Sequence, residues 1–276
     1  MEQCGNWLVR SLASLWYRLD RRHRRITLAN LAFAYGDALS PAARERLARQ
    51  VFCHFVRFAW EILELFLAPT AVIRRKIIIV GDEHIRDALA QGKGMVAVAA
   101  HAGNWEYTVM GYGLRYRTMA VVGRDLDQLW AARLARRLRE RSGNWMISKQ
   151  KGMKEIMRHL QQNHVVGVVI DQNTTTAGGL LVDFFGHPAR TTPVAALLAR
   201  RGVPVLLTLS RRLADGRHLA VIMPPLPVEK TADAQADIRR HLQLQSRAIE
   251  AWVRAEPSQW LWLHRRWKNQ FPEIYD

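Results

Sequence analysis

From residue 77 onward the chain alternates between short β-branched, apolar runs and longer segments with helical periodicity. No other feature limits the possible folds as much. Runs that fit strands are Ile77–Val80, Met95–Ala99, Thr118–Val122, Trp145–Ser148, Val165–Ile170, Val203–Leu209 and Leu219–Met223. Helical stretches fall between most of them, near 84–91, 104–114, 127–140, 152–162 and 192–201, and a long helix near 234–255 closes the series. Such alternation predicts an α/β fold, with a mostly parallel central sheet flanked by helices. In an open sheet of this kind ligands bind beyond the carboxyl ends of the strands. His101, Arg124 and Asp171 each follow a strand run, and strands in those places would bring the three to one cleft.

The first 76 residues have a different texture. Trp7, Leu8, Leu12, Leu15 and Trp16 recur at helical spacing, with Arg10, Ser11, Ser14 and Arg18 largely on the other side. Arg18, Arg21, Arg22, Arg24 and Arg25 then form a basic cluster. That is the pattern of an interfacial membrane helix, and equally of an ordinary helix packed on a core. A second helix begins at Ser40-Pro41, where Ser suits the N-cap and Pro the first turn. Its apolar positions Leu47, Val51, Phe55, Phe58, Ile62 and Leu65 continue toward Leu67. The expected organisation is an amphipathic N-terminal membrane-association segment over 1–25 and a single α/β domain over 26–276. The best candidate for a membrane span, Phe55 to Ile73, is interrupted by Arg57, Glu61 and Glu64. Arg10 breaks the first apolar run, so no cleavable signal is expected.

The formal net charge is +17, from 41 Lys and Arg against 24 Asp and Glu. A charge this large implies an acidic partner: nucleic acid, an anionic membrane or an acidic protein. No helix-turn-helix, zinc-finger or RNA-recognition signature is present, so nucleic acid is not the expected partner. The two cysteines, Cys4 and Cys53, are too few for a disulfide framework or a cysteine zinc site. No Gly-x-Ser-x-Gly elbow, P-loop or complete dinucleotide fingerprint occurs, and neither a metal nor a cofactor is expected.

The segment His101-Ala102-Gly103-Asn104-Trp105-Glu106 carries the candidate chemistry. An imidazole can take a proton from a hydroxyl as that hydroxyl attacks a carbonyl. A carboxylate on the other ring nitrogen fixes the tautomer and stabilises the imidazolium. A His before a helix and an acid in its first turn can face each other, with Gly103 giving the tight turn. Spacing alone is weak evidence: ten His and 24 acids in 276 residues give about one such match by chance. The plainer alternative is a polar strand end that caps the next helix.

The wider sequence is more specific. Gly92-Lys93-Gly94-Met95 through His101–Glu106 resembles the glycerolipid and lipid A acyltransferases, most of all the bacterial lipid A biosynthesis lauroyl and myristoyl transferases. Further blocks resemble that family in order: Arg24-Arg25-Ile26 with Asn30-Leu31, Val122–Asp127, Val168–Asn173, Val182–Ala189 with Thr191-Thr192-Pro193, and Glu256–Lys268. The resemblance implies transfer from an acyl carrier protein thioester to a hydroxyl of a lipid A precursor, peripherally at the cytoplasmic face of an inner membrane. It implies His101 as general base and Glu106 as the orienting carboxylate. Arg124, Asp171, Asn104 and Gly103 are the residues expected at the substrate. The chain departs from the family pattern at Tyr35-Gly36, at Asp125 after Arg124, and at Asp171-Gln172-Asn173, where a second acid is common. The acceptor therefore stays open among a lipid A precursor, a lysophospholipid, an aminolipid and a mannolipid.

Three remaining features admit two readings each. The arginines between Trp130 and Arg141 suit a docking surface for an acidic carrier protein or lipid phosphates, or a solvated helix face. His264–Lys268 suits a lipid headgroup boundary or a structural cation–π cluster. Phe184-Phe185 suits the core or an acyl-chain groove, and His187 reads as structural.

Overall fold

The computed structural model of the chain describes residues 7–116, 119–123, 133, 137–138, 141–148 and 152–276. Four helices come first: α1 (Trp7–Leu19), α2 (Arg21–Tyr35), α3 (Pro41–Leu67) and α4 (Thr70–Lys76). The alternating region follows with β1 (Ile77–Val80), α5 (Asp82–Ala90), β2 (Met95–Ala99), α6 (Trp105–Tyr116), β3 (Met119–Gly123), β4 (Trp145–Ser148), α7 (Gly152–Gln161) and β5 (Val165–Val169). It continues through β6 (Leu180–Phe184), β7 (His187–Thr191), α8 (Val194–Arg200), β8 (Val205–Arg212), β9 (His218–Ile222) and α9 (Ala234–Ala255). Most of the helix expected near 127–140 lies outside the described residues.

Seven strands form one sheet in the order β1-β9-β8-β2-β5-β3-β4. All neighbours are parallel except β8 and β9, so β9 and β1 run opposite to the other five. This is the mostly parallel, helix-flanked sheet that the alternation predicted. The central strands β2 and β5 carry no polar side chain because both faces are covered. Along β2, Val96 and Val98 pack into one core layer, while Met95 and Ala97 pack into a second with Ile85, Ala88 and Tyr112.

The antiparallel hairpin β6–β7 was not expected. Its two turn residues, Phe185 and Gly186, both have positive φ (59° and 79°), as a tight hairpin turn of matching twist demands. Phe sits badly in that conformation. Packing compensates, with the Phe185 ring held against Tyr35, Trp262 and the Arg254 guanidinium.

The N-terminal helices follow their sequence signals. The Ser40 hydroxyl caps α3, accepting from the Ala43 N–H at 3.3 Å. Asp20 caps α2 and also accepts from the Trp16 indole at 3.0 Å, and α2 runs on across position 25. In α1 it is Ala13 and Tyr17 that are buried, with Tyr17 donating to Glu45 at 2.6 Å and lying 5.0 Å from Phe52. The Leu stripe points outward, with Trp7 76% and Leu19 72% exposed, so it does not pack on the core. Among the described residues no helix is long and apolar enough to cross a membrane.

The C-terminal segment narrows one expectation. Trp260, Trp262, Trp267 and Arg266 are all fully buried, which favours the structural cation–π reading of His264–Lys268, although Lys268 is exposed. Arg266 donates to the Gln172 and Arg190 carbonyls (2.9 and 2.7 Å) and to Thr191 Oγ1 (2.5 Å), beneath the Phe184 ring. These bonds offset the cost of burying the guanidinium, whose two terminal nitrogens both find acceptors. Asn30 of α2 ties the same segment down through the Trp262 and His264 carbonyls and the Tyr275 hydroxyl. Phe184 and Phe185 belong to the core, and His187 stacks on Phe33 at 3.8 Å.

Candidate active site

Parallel pairing of β2 with β5 puts Ala99 opposite Val169, so the chain leaves the two strands side by side at His101 and Asp171. The consequence is a tight contact. His101 Nδ1 lies 2.7 Å from Asp171 Oδ1, and the His101 backbone N–H donates to Asp171 Oδ2 at 2.8 Å. The Trp260 indole donates to the same Oδ2 at 2.7 Å. Burial by itself would raise the Asp171 carboxyl, but the His101 charge, the His101 bonds and Trp260 outweigh it and hold it below its ordinary value. An ionised carboxylate can only accept, so Nδ1 donates to it, and Nε2 is the ring nitrogen turned away from the carboxylate. Nε2 is 3.5 Å from the Gln172 amide, and the His101 side chain is 18% exposed. The Trp105 ring meets the imidazole edge-on at 4.9 Å, backed by Phe58 of α3.

The carboxylate at Nδ1 is therefore Asp171, where the motif spacing had suggested Glu106. The physical reason is the sheet: adjacent parallel strands deliver Asp171 at the height of His101, whereas Glu106 lies beyond the Asn104 cap. Glu106 is nearly buried in the first turn of α6 and accepts from the Trp105 indole at 3.2 Å. Asn104, expected at the substrate, is fully buried. Its Oδ1 caps α6 by accepting from the Glu106 and Tyr107 N–H groups, both at 3.2 Å. Gly103 has φ +60°, and an added Cβ would lie 2.7 Å from the Ser210–Arg211 backbone, so it serves close packing against β8. Arg124 lies outside the described residues.

The loop 101–104 is clamped on every side. Leu261 N–H donates to the His101 carbonyl (3.1 Å), Gly103 N–H to the Gln259 carbonyl (2.9 Å), and Ser210 Oγ to the Ala102 carbonyl (2.8 Å). Beneath it lies an ionic cluster that the sequence did not announce. Glu61 of α3 accepts from Arg212 Nε (2.5 Å) and Nη2 (2.6 Å), and from Asn104 Nδ2 (2.8 Å). Arg212 Nη1 donates to His54 Nδ1 at 2.8 Å. Burial opposes a charge on Glu61, and Arg212 overcomes it and lowers the carboxyl. Burial, joined by Arg212 and Lys76 and countered by Glu61, pulls His218 down to about 4. Glu61 had registered only as a break in an apolar run. An acid facing the core side of a helix that also carries Leu47, Leu65 and His54 was the available signal. Among the described residues, no group of three or more His, Cys, Asp or Glu could hold a metal ion.

The site thus has a histidine with Nδ1 fixed by a buried carboxylate, at the carboxyl ends of parallel strands. Comparison with known proteins gives the class: the chain is an acyltransferase. The bacterial lipid A biosynthesis acyltransferase family model matches residues 4–269, and the chain belongs to that family. It is 26% identical over 270 residues to the lipid A biosynthesis lauroyltransferase of Escherichia coli (strain K12), covering 94% of this chain and 83% of that protein. It is 22% identical over 244 residues to a lipid A biosynthesis acyltransferase of Haemophilus influenzae, covering 84% and 73%. Over 145 residues it is 30% identical to a phosphatidylinositol mannoside acyltransferase of Mycobacterium tuberculosis, covering 49% and 46%. Family membership supports acyl transfer onto a lipid acceptor.

Proposed function

We propose that the chain transfers a fatty acyl group from an acyl carrier protein thioester to a hydroxyl of a lipid A precursor. It would work peripherally, at the cytoplasmic face of an inner membrane. His101 Nε2 takes the hydroxyl proton as the oxygen attacks the thioester carbonyl. Asp171 holds the ring and stabilises the imidazolium that results. The tetrahedral intermediate then collapses, the C–S bond breaks, and the imidazolium returns its proton to the departing thiolate. No covalent enzyme intermediate is needed. Glu106 holds the Trp105 indole beside the imidazole, and Arg124 is assigned by resemblance to substrate binding or transition-state charge.

The His101–Asp171 contact carries this reading, because it commits Nδ1 to the carboxylate and leaves Nε2, 3.5 Å from the Gln172 amide, as the nitrogen available at the strand ends. The test is mass spectrometry of membrane lipids from cells with and without the protein, and with His101→Ala. One lipid gaining a single acyl chain only with the wild type is the expected result. A folded His101→Ala protein with full activity would refute the mechanism. A second acceptor, a mannolipid, is favoured by the 30% identity to the mannoside acyltransferase. The mass of the product separates the two.

A further inference from the structure

One face of α3 is half covered and half bare. Phe52, Val56, Trp60, Leu63 and Leu67 follow one another at three- and four-residue steps, which puts them on a single stripe of the helix. In the first half α1 lies on that stripe: Phe52 is sealed by Trp16 (4.5 Å) and Tyr17 (5.0 Å), and Arg49 lies over the Tyr17 ring. The second half carries large apolar side chains in the open, with Trp60 67%, Leu63 47% and Leu67 74% exposed. Helices α1 and α3 run antiparallel here, since Tyr17 meets Glu45–Phe52 while Arg10 shares a cavity wall with His54. Ten residues back from Tyr17 along α1 therefore reach roughly residue 59 of α3, at equal rise per residue. That brings the N-terminal end of α1, with exposed Trp7, to about the level of Trp60, where α1's cover ends. Leu8, Leu12, Leu15 and Leu19 of α1 are exposed as well.

We infer that Trp60, Leu63 and Leu67 form a second membrane contact, continuous with α1, and that the occupant of this bare stripe is an anionic lipid bilayer. Charge decides the kind of partner. Between residues 7 and 76 there are thirteen Lys and Arg against five Asp and Glu. Four of those five carboxylates are already engaged: Asp20 with His23, Glu45 with Tyr17 and Arg49, Glu61 with Arg212, and Glu64 with Tyr107 and Lys76. The four N-terminal helices thus offer exposed tryptophan and leucine together with exposed arginines, among them Arg18, Arg21, Arg22, Arg25 and Arg75. Aromatic rings at headgroup level with cations around them suit an anionic interface. The inference rests on the reading above that the acceptor is a lipid held in a membrane.

The test uses the full chain and vesicles of phosphatidylglycerol mixed with phosphatidylcholine. Trp60→Ser/Leu63→Ser/Leu67→Ser is expected to lower partitioning at least ~10-fold in flotation, since three exposed apolar groups lose their lipid contact. Its melting temperature and its acyl transfer to detergent-dispersed acceptor should match wild type, while transfer to vesicle-borne acceptor falls. The milder Trp60→Phe should lose part of the fluorescence quenching by brominated lipids even if the triple variant folds poorly. Unchanged flotation and unchanged quenching would overturn the inference. A triple variant that dissociates a dimer and still floats normally would also overturn it, and would mark a contact between copies. Failure of wild type to acylate any lipid would instead sink the functional reading, and the flotation comparison would still stand on its own.

Discussion

Two ionic clusters lie back to back around the loop 101–104, and they use the same kinds of residue for opposite ends. In front, His101 and Asp171 form a pair whose imidazole is in part exposed and keeps Nε2 off the carboxylate, with only a long contact to the Gln172 amide. Behind, Glu61, Arg212 and His54 form a network buried on all sides, with Asn104 as its bridge to the loop. The front pair has unused capacity, and that capacity can do chemistry. The rear cluster spends its charges on one another and on the cap of α6, so it holds the loop rigid. A base must be held to within a fraction of an ångström to act, and such support normally comes from an outer ring of packed and hydrogen-bonded groups.

This contrast makes distinct predictions. The largest effect on rate is expected at the front: His101→Ala should lower kcat by roughly 10²–10⁴-fold in the fraction that remains folded, because general-base catalysis is worth about that much. A steady-state assay beside a thermal melt reads both. At the rear, Arg212→Met should invert the pattern. It leaves Glu61 buried without its counter-charge, a loss of about 3–5 kcal/mol in stability, seen in chemical denaturation. If Arg212→Met melts like wild type, the rear cluster is not structural.

Acid should probe the rear as well. His218 is held neutral in the fold down to about 4, whereas the unfolded chain protonates it near its ordinary 6.5. Between those values the unfolded state binds the extra proton. Stability is therefore complete above about 6.5 and falls as pH drops toward 4, by about 3 kcal/mol for this one group. Denaturation midpoints across that window check it, and His218→Phe should flatten the slope. Gly103→Ala, at the seam of the two clusters, places a Cβ 2.7 Å from the β8 backbone at a positive φ. It should destabilise by about 1–3 kcal/mol and lower kcat in parallel. The smallest effect belongs to Arg217→Ala, whose partner Asp215 is in water. Neither melting nor transfer should change measurably.

Much of the fold could be read from the chain because its signals are local. The run Met95–Ala99 is apolar at every position, which a strand covered on both faces requires, and it forms β2 with those bounds. The β6–β7 hairpin was illegible for the opposite reason. Its turn uses Phe185-Gly186 instead of Asn-Gly, and Phe185 is held in a left-handed conformation by rings distant in sequence. The site divides the same way. His101 and Asp171 could be placed at strand ends from sequence, but their pairing depends on β5 lying next to β2, a fact of strand order that no spacing encodes. Glu106, five residues from His101, was the nearer acid along the chain. Asp171, seventy residues away, is the nearer acid in space. Arg212 and Glu61, 151 residues apart, left no trace in any motif.

The central claim is that Asp171 holds His101 ready to accept a proton, and Asp171→Asn tests it most directly. The substitution keeps the size of the side chain and removes the charge. Steady-state acyl transfer by the folded variant, with wild type alongside, should show kcat reduced at least ~100-fold, because an amide neither fixes the Nδ1–H tautomer nor stabilises the imidazolium. A folded Asp171→Asn protein that transfers acyl groups at the wild-type rate would contradict the account.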